Sequence, residues 1–234
     1  MLIDTNFNFY SDAGGGDPDL TSPTLRKYHK ILWSKALPNG KLFELSDSKG
    51  GFYLYHKSEL GEFSLGSDAI THSYKNQKRK EWLTKQIPYE VDELLSKASI
   101  IGSYMVFPNK KIDGKFTINQ ARGVNRLIDD RFDLTLECIR RFYLGQKSPL
   151  FDTLFRYKTY FHLFENFMGF VDFFLLNDLT DGNQQIKFYL PFNDFKSPSL
   201  FSDTNQYILY KNRAINFVKS RNKRIEDWAA KITL

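Results

Sequence analysis

The sequence has one cysteine, Cys138, in 234 residues. A single thiol excludes an intrachain disulfide and, within one chain, a zinc site built from several thiolates. This composition fits the reducing cytosol, so we predict a cytoplasmic location. The first residues, MLIDTNFNFYSDAGGG, have neither a basic n-region nor an apolar h-region, and we expect no signal peptide there.

Long apolar runs are also missing. The most apolar stretch, residues 148–176, is rich in Phe, Leu and Tyr but is interrupted by charged residues such as Asp152, Arg156 and Asp172. It therefore never reaches the roughly twenty consecutive apolar residues that a membrane-spanning helix needs. We predict a buried helix here, bent at Gly169, and no membrane partner.

The sequence has few of the residue spacings that are typical of metal-binding or phosphate-binding motifs. The four histidines, His29, His56, His72 and His162, form neither an HxH nor an HxxxH pair, so we predict no metal site from them. The glycines at 14–16 lack the Lys-Ser/Thr of a phosphate loop and the spacing of an EF-hand. A solvated turn is the better interpretation, and the sequence indicates no particular cofactor.

Aromatic residues are abundant, with 22 Phe and 13 Tyr. Such side chains bury a large area each, so a sizeable core is available. We find no internal repeat and no clean linker, and we predict a single α+β domain over residues 1–234. Its small, mostly antiparallel sheet would pack against long C-terminal helices.

Periodicity and turn residues predict the order of the elements. The predicted strands are Leu2–Tyr10, Lys41–Leu45, Phe52–His56, Glu62–Leu65, Ser99–Phe107 and Ile186–Phe192. The predicted helices are Pro23–Lys35, Glu81–Gln86, Glu90–Ala98, Ile118–Tyr143, Ser148–Leu176 and Thr204–Ile232.

The segment Ile118–Tyr143 contains nine charged residues in twenty-six, together with many apolar ones. Wound as one helix, its apolar residues recur at three- and four-residue steps and form a stripe. Glu137 precedes Arg141 by four residues, and Arg126 precedes Asp130 by four, as in helical ion pairs. One interpretation is therefore a ladder of salt bridges along a solvated or subunit-facing side.

A second interpretation makes the same segment a catalytic site. Asp129, Asp133 and Glu137 are spaced at i, i+4 and i+8, so one helix would stack three carboxylates that repel unless a cation separates them. They could then act as a base or bind a hard divalent ion. The arginines that would orient an anionic substrate are Arg122, Arg126, Arg140 and Arg141.

Basic clusters suggest a different function. The net charge is +6, and lysines and arginines gather in three places. These places are Lys75, Lys78, Arg79 and Lys80; Lys110, Lys111 and Lys115; and Lys219, Arg221, Lys223 and Arg224 with Lys211 and Arg213. Nucleic-acid binders need such charge on one surface, preferably with exposed aromatics. The alternative is three separate solubilising faces.

Several segments carry a resemblance to a known family. Six segments resemble an uncharacterised family of bacterial proteins that has only a domain-of-unknown-function label. They are INQARG, DRFDLTLECIRRFY, SPLFDTLFRY, GFVDFFLLNDL, SPTLRKYHKILWSKALPNG and LGEFSLGSD. The resemblance spans about Phe7 to Arg224 and implies a bacterial or bacteriophage-associated cytosolic protein. It implies no activity and transfers no catalytic residue.

Three functional hypotheses follow. The first is a protein that binds nucleic acid or another polyanion through the basic clusters. The second is an enzyme for a phosphate-bearing or otherwise anionic substrate. The third is a protein–protein interaction module, whose partner could be a second copy of the chain in a homo-oligomer. Its many aromatic side chains would then be buried in the interface. The position of the three carboxylates distinguishes the first hypothesis from the second, because catalysis requires these carboxylates to line a cleft.

Overall fold

The computed structural model describes residues 3–51 and 53–232 and shows the predicted mixture of helices and short antiparallel strands. The first five helices are α1 (Pro18–Thr21), α2 (Pro23–Trp33), α3 (Glu81–Thr84), α4 (Pro88–Ala98) and α5 (Ile118–Val124). They are followed by α6 (Phe132–Tyr143), α7 (Phe151–Arg156), α8 (Lys158–His162), α9 (Phe167–Phe173) and α10 (Thr204–Lys231).

The strands form two antiparallel sheets. A small sheet pairs β1 (Lys35–Ala36) with β2 (Leu42–Phe43). The larger sheet has the order β3 (Ser46–Asp47), β4 (Leu54–Ser58), β5 (Gly61–Ala69) and β6 (Tyr104–Pro108). Every residue of β6 is buried, which explains why its sequence is apolar throughout rather than alternating.

The predicted first strand is wrong. Between Ile3 and Tyr10 the chain has no strand and enters a 3-10 turn at Phe9–Ser11; Leu2 lies outside the described residues. Ile3 and Phe9 are buried, so the alternation correctly marked core positions. Backbone groups of this segment form hydrogen bonds outside any sheet instead. The Phe9 N–H, for example, donates to Ser99 O at 3.0 Å.

The predicted last strand, Ile186–Phe192, is also wrong. Among the described residues, this segment makes only an isolated bridge between Ile186 and Thr180. The Tyr189 N–H donates to the Asp133 carboxylate at 2.8 Å rather than to a neighbouring strand. A side chain on α6 thus takes the backbone donor that a sheet would have used.

The predicted helix Ile118–Tyr143 is broken into α5 and α6. The loop between them contains Asp129 and Asp130 with φ angles of 49° and 65°, which no right-handed helix allows. Aspartate tolerates this left-handed region better than most residues. The charges that seemed to share one helix face are therefore divided between a loop and a shorter helix.

The predicted helix Ser148–Leu176 is likewise divided, into α7, α8 and α9. Breaks fall at Tyr157 and at residues 163–166, where Glu165 has a φ of 62° and Asn166 caps α9. The predicted bend at Gly169 is wrong, because Gly169 lies within the first turn of α9. A Cβ there would come within 2.1 Å of Phe164 O, so close packing explains the glycine.

The C-terminal helix α10 is confirmed. Asp203 caps it by accepting the Gln206 N–H, and its buried face includes Tyr207, Tyr210 and Phe217. On the same face, the fully buried Arg221 donates to the carbonyl oxygens of Phe174, Gly102 and Tyr104 at 2.9–3.2 Å. This helix therefore ties α9 to the segment that leads into β6. Within residues 3–51 and 53–232, no helix has the length and apolar content to cross a membrane.

Candidate nucleic-acid interface

Asp129 is buried against two cations from an earlier part of the chain. Its carboxylate pairs with Arg79 and with the buried Lys80. The Tyr74 hydroxyl donates to the Asp129 carbonyl at 3.0 Å, and the Lys80 ammonium lies 3.2 Å from the centre of the Tyr74 ring. Burial lowers the pKa of Lys80 to about 8, although Asp129 acts in the opposite direction. This contact joins the loop to residues 74–80.

Asp133 and Glu137 are paired within their own segment. Arg131 binds Asp133 with two hydrogen bonds of 3.1 and 2.5 Å. Glu137 accepts from Arg140 at 2.7 and 3.0 Å and from Arg141 at 2.7 Å. All these bonds are charge-assisted and leave little carboxylate oxygen free for a substrate.

Arg122 is fully buried and links α5 to the sheet. Its guanidinium pairs with Asp68 of β5 and donates to Thr135 Oγ1 at 3.0 Å. It also donates to the Asp130 carbonyl at 3.2 Å and lies 3.5 Å from the Asp130 carboxylate. Arg126, by contrast, is exposed and makes no ion pair with any described residue.

The three nominated carboxylates therefore do not form a stacked catalytic row. Asp129 lies in a loop, outside the helix that carries Asp133 and Glu137. A cavity of about 240 Å³ beside this segment is lined by Arg131, Leu134 and Phe192, but not by Asp129, Asp133 or Glu137. Among the described residues, no group of three or more His, Cys, Asp or Glu side chains could hold a metal ion. The Glu137–Arg141 pair of the salt-bridge interpretation is present. The predicted Arg126–Asp130 pair is wrong, because Asp130 faces Arg122 instead, and the three carboxylates are buried rather than solvated.

The first nominated basic cluster is largely neutralised. Lys75 pairs with Asp92 at 2.6 Å, and Arg79 and Lys80 pair with Asp129. Lys78 is exposed and makes no ion pair with a described residue. Within this cluster, only the Lys78 charge is both exposed and unpaired.

The basic cluster on α10 is neutralised in the same way. Lys223 pairs with Asp227 at 2.9 Å, and Arg224 binds Asp178 at 2.5 and 3.0 Å. Arg221 has no exposed surface. Lys219 is exposed and makes no ion pair with a described residue. Lys211 pairs with Glu90 and Glu93, whereas the exposed Arg213 contacts only the carbonyl oxygens of Phe188 and Tyr189. The helix therefore presents two free cations, Arg213 and Lys219, from the six nominated ones.

The cluster at Lys110, Lys111 and Lys115 is different. These lysines lie on the loop that follows β6, are exposed, and make no ion pair with any described residue. Arg156, at the end of α7, joins them: its guanidinium donates to Phe116 O at 3.0 Å and to Asp152 O at 3.2 Å. It contacts carbonyl and hydroxyl oxygens rather than carboxylates, so its charge is not compensated by a described residue.

Exposed aromatic rings lie among these cations. Phe116 and Phe155 are each 51% exposed, and the Lys158 ammonium lies 4.9 Å from the centre of the Phe155 ring. Phe151 stacks behind Phe155 with ring centres 6.1 Å apart, which supports its position. The sequence pattern missed this surface, because its residues come from two segments about forty positions apart.

Two concave regions meet at Arg156. One, of about 500 Å³, is lined by Lys115, Phe116, Val124 and Thr153 together with Arg156. The other, of about 240 Å³, lies between β5, the loop after β6 and α8, and Lys110 and Arg156 both line it. We call the region formed by Lys110, Lys115, Phe116, Phe155, Arg156 and Lys158 the Arg156 surface.

The fold and this surface define a mixed α+β protein with a concave, basic and aromatic face. The chain belongs to the DUF6994 family, a family of unknown function, whose model matches residues 3–225. This confirms the resemblance seen in the sequence. No curated protein and no solved structure gives a significant match to the chain.

Proposed function

We propose that this protein binds single-stranded nucleic acid on the Arg156 surface. The observation that carries the proposal is that Lys110, Lys115, Arg156 and Lys158 make no ion pair with a described residue, while most cations nominated elsewhere do. Only a charge that is not already neutralised gains by meeting phosphate.

The aromatic rings favour a single strand over a duplex. Phe116 and Phe155 are each about half exposed, which leaves ring surface for contact with unstacked bases. Stacking of one base on an aromatic side chain contributes about 1–3 kcal/mol and tolerates any base. In a duplex the bases are already stacked on each other, so the rings would gain nothing.

The charges predict how strongly salt weakens binding. Each phosphate contact with a single strand contributes about 0.7 to the slope of log affinity against log salt concentration. Four cations therefore predict a slope of about −3. We place this activity in the cytosol, where the buried Cys138 thiol stays reduced.

The test is fluorescence anisotropy with a labelled single-stranded oligonucleotide of about twelve nucleotides, titrated at several salt concentrations. Lys110→Glu combined with Lys115→Glu should lower the affinity at least tenfold and reduce the salt slope by about 1.4. Phe155→Ala should lower the affinity about tenfold with the slope unchanged.

Lys27→Glu combined with Lys49→Glu is the matched control. Both lysines are exposed, make no ion pair with a described residue, and lie outside the Arg156 surface. The two double variants have the same net charge, so they separate position from total charge. Equal loss of affinity in both would contradict the proposed surface, and absence of binding by the wild-type protein would contradict the function. Tighter binding to duplex than to single strand would contradict the stacking argument.

A further inference from the structure

The smaller concave region beside Arg156 differs from an open groove. Its walls are the side chains of Phe63, Ile112 and Tyr160, with the Phe63 and Tyr160 rings 5.8 Å apart in an edge-to-face arrangement. Its volume of about 240 Å³ suits one planar ring system. Apolar walls with a few polar groups are typical of small-molecule and base pockets.

Some polar groups of this pocket already have a hydrogen-bond partner within the protein, and others do not. The Tyr157 and Tyr160 hydroxyls donate to Lys110 O at 3.0 Å and to Val106 O at 3.2 Å. Ser64 and Thr159 also line the pocket, and neither hydroxyl makes a hydrogen bond to a described residue. Two hydroxyls are therefore available to a ligand, while the phenols support the walls.

Glu62 is one of the residues that line this pocket. Its side chain is 58% exposed and lies 3.4 Å from the Lys57 ammonium. The Tyr55 hydroxyl and Lys57, and more weakly the charge of Lys110, lower the pKa of Glu62, so the group is an ionised acceptor at neutral pH. A carboxylate accepts hydrogen bonds from the exocyclic amino group of a base, as in the contact of Glu with cytosine N4. It repels the carbonyl oxygen that uracil and thymine carry at the same position.

We propose that this pocket accepts one unstacked nucleobase that carries an exocyclic amino group, with Glu62 as the acceptor and with Lys110 and Arg156 holding the flanking phosphate. The inference rests on the proposed single-strand binding and adds a base preference to it. Phosphate contacts position the strand, and the pocket reads one base. The amino-bearing bases cytosine, adenine and guanine should therefore be preferred over uracil and thymine.

Oligocytidine and oligouridine of equal length provide the sharpest test, because the two bases differ only in the amino group or carbonyl at position 4 and the neighbouring ring nitrogen. Wild-type protein should bind oligocytidine about tenfold more tightly, as expected for one base-specific contact of 1–3 kcal/mol. Glu62→Gln should bring the ratio close to one, because an amide can donate to the uracil carbonyl as well as accept.

Glu44→Gln is the control for Glu62→Gln. Glu44 is exposed, makes no ion pair with a described residue, and gives the same change in charge. It should keep the wild-type ratio. Circular dichroism and thermal unfolding should show that both variants fold, since both side chains are exposed.

The outcomes separate this inference from the proposed function. If both oligonucleotides bind equally and Lys110→Glu with Lys115→Glu weakens both, the pocket assignment is wrong and single-strand binding stands. If Glu62→Gln keeps the preference for cytidine, the carboxylate is not the reader and the inference is overturned. If neither oligonucleotide binds, both proposals fail together.

Discussion

Two regions of this molecule use the same residue types in opposite ways. In the segment from Arg122 to Arg141, charged side chains are largely buried, and most meet a partner of opposite charge. Around Arg156, lysines and an arginine lie at the surface and make no ion pair within 4 Å with any described residue. Burial makes an unpaired charge very costly, whereas water stabilises an exposed one. The buried region therefore holds the fold together, and the exposed region is available for a ligand.

The largest expected effect is the loss of a buried arginine. Arg122→Met should lower the free energy of unfolding by about 3–5 kcal/mol, because Asp68 and Asp130 lose their buried partner. Arg126 lies in the loop two residues after the end of α5. Arg126→Met should change the free energy of unfolding by less than about 0.5 kcal/mol, since that side chain is exposed and unpaired. Urea denaturation of both variants measures the difference, and equal effects would remove the distinction between the two regions.

The next effect is at Asp129. Asp129→Asn keeps a residue that tolerates the φ of 49°, so it removes mainly the charge that faces Lys80. We expect a loss of about 2–3 kcal/mol at pH 6 in urea denaturation.

This loss should depend on pH in a defined direction. Burial lowers the pKa of Lys80 to about 8 in the wild-type fold, below its ordinary value of 10.5. The cost of the buried ammonium is present below the folded pKa and disappears as the pH rises toward the unfolded pKa. Removing Asp129 lowers the folded pKa further, so the gap between variant and wild type should shrink as the pH rises toward 8 and should be small above 8. A gap that stays constant to pH 9 would show that Lys80 is not the group concerned.

A smaller effect is expected at Glu137. This carboxylate is buried, but its partners Arg140 and Arg141 are each partly exposed. Water can therefore solvate the two guanidinium groups when Glu137→Gln removes the charge. We expect a loss of about 1–2 kcal/mol, measured by urea denaturation. A double-mutant cycle with Arg140→Met should recover only part of it, because Arg141 also contacts Glu137.

The smallest effect on stability is expected at the exposed surface. Lys110→Glu combined with Lys115→Glu should change the free energy of unfolding by less than about 0.5 kcal/mol, although the same variant should lose nucleic-acid affinity. Thermal unfolding without ligand measures this. A decrease of more than about 2 kcal/mol in the free energy of unfolding would mean that these lysines stabilise the fold. The two regions would then not differ in the way described above.

How much of this could be predicted from the sequence depends on the range of the interactions involved. The helices α2, α4 and α10 were predictable, since caps such as Ser22-Pro23 and Asp203 act within a few residues. The break after α5 was not, because helical periodicity continues through residues 125–131 even though the chain turns there. The Tyr74 and Arg79 contacts that hold this loop come from about fifty residues earlier in the sequence.

The candidate site shows the same limit. Lys110, Lys111 and Lys115 stood out as a basic cluster, but so did Lys75–Lys80 and Lys219–Arg224. Sequence could not distinguish them, since the carboxylates that neutralise the other two come from residues such as Asp129, Asp92 and Asp178. Arg156 joins Lys115 only because α7 packs beside the loop after β6.

The sequence by itself determined which residues prefer the core, where several helices begin, and that the chain holds an excess of positive charge. Those properties follow from side-chain chemistry and from contacts within a few residues. Local spacing also accounts for the pairs of Glu137 with Arg140 and Arg141. Only the tertiary structure decided the pairs of Lys80 with Asp129, Arg122 with Asp68 and Arg224 with Asp178, because folding brings those residues together across tens of positions. That selection leaves the cations around Arg156 free and neutralises most of the others.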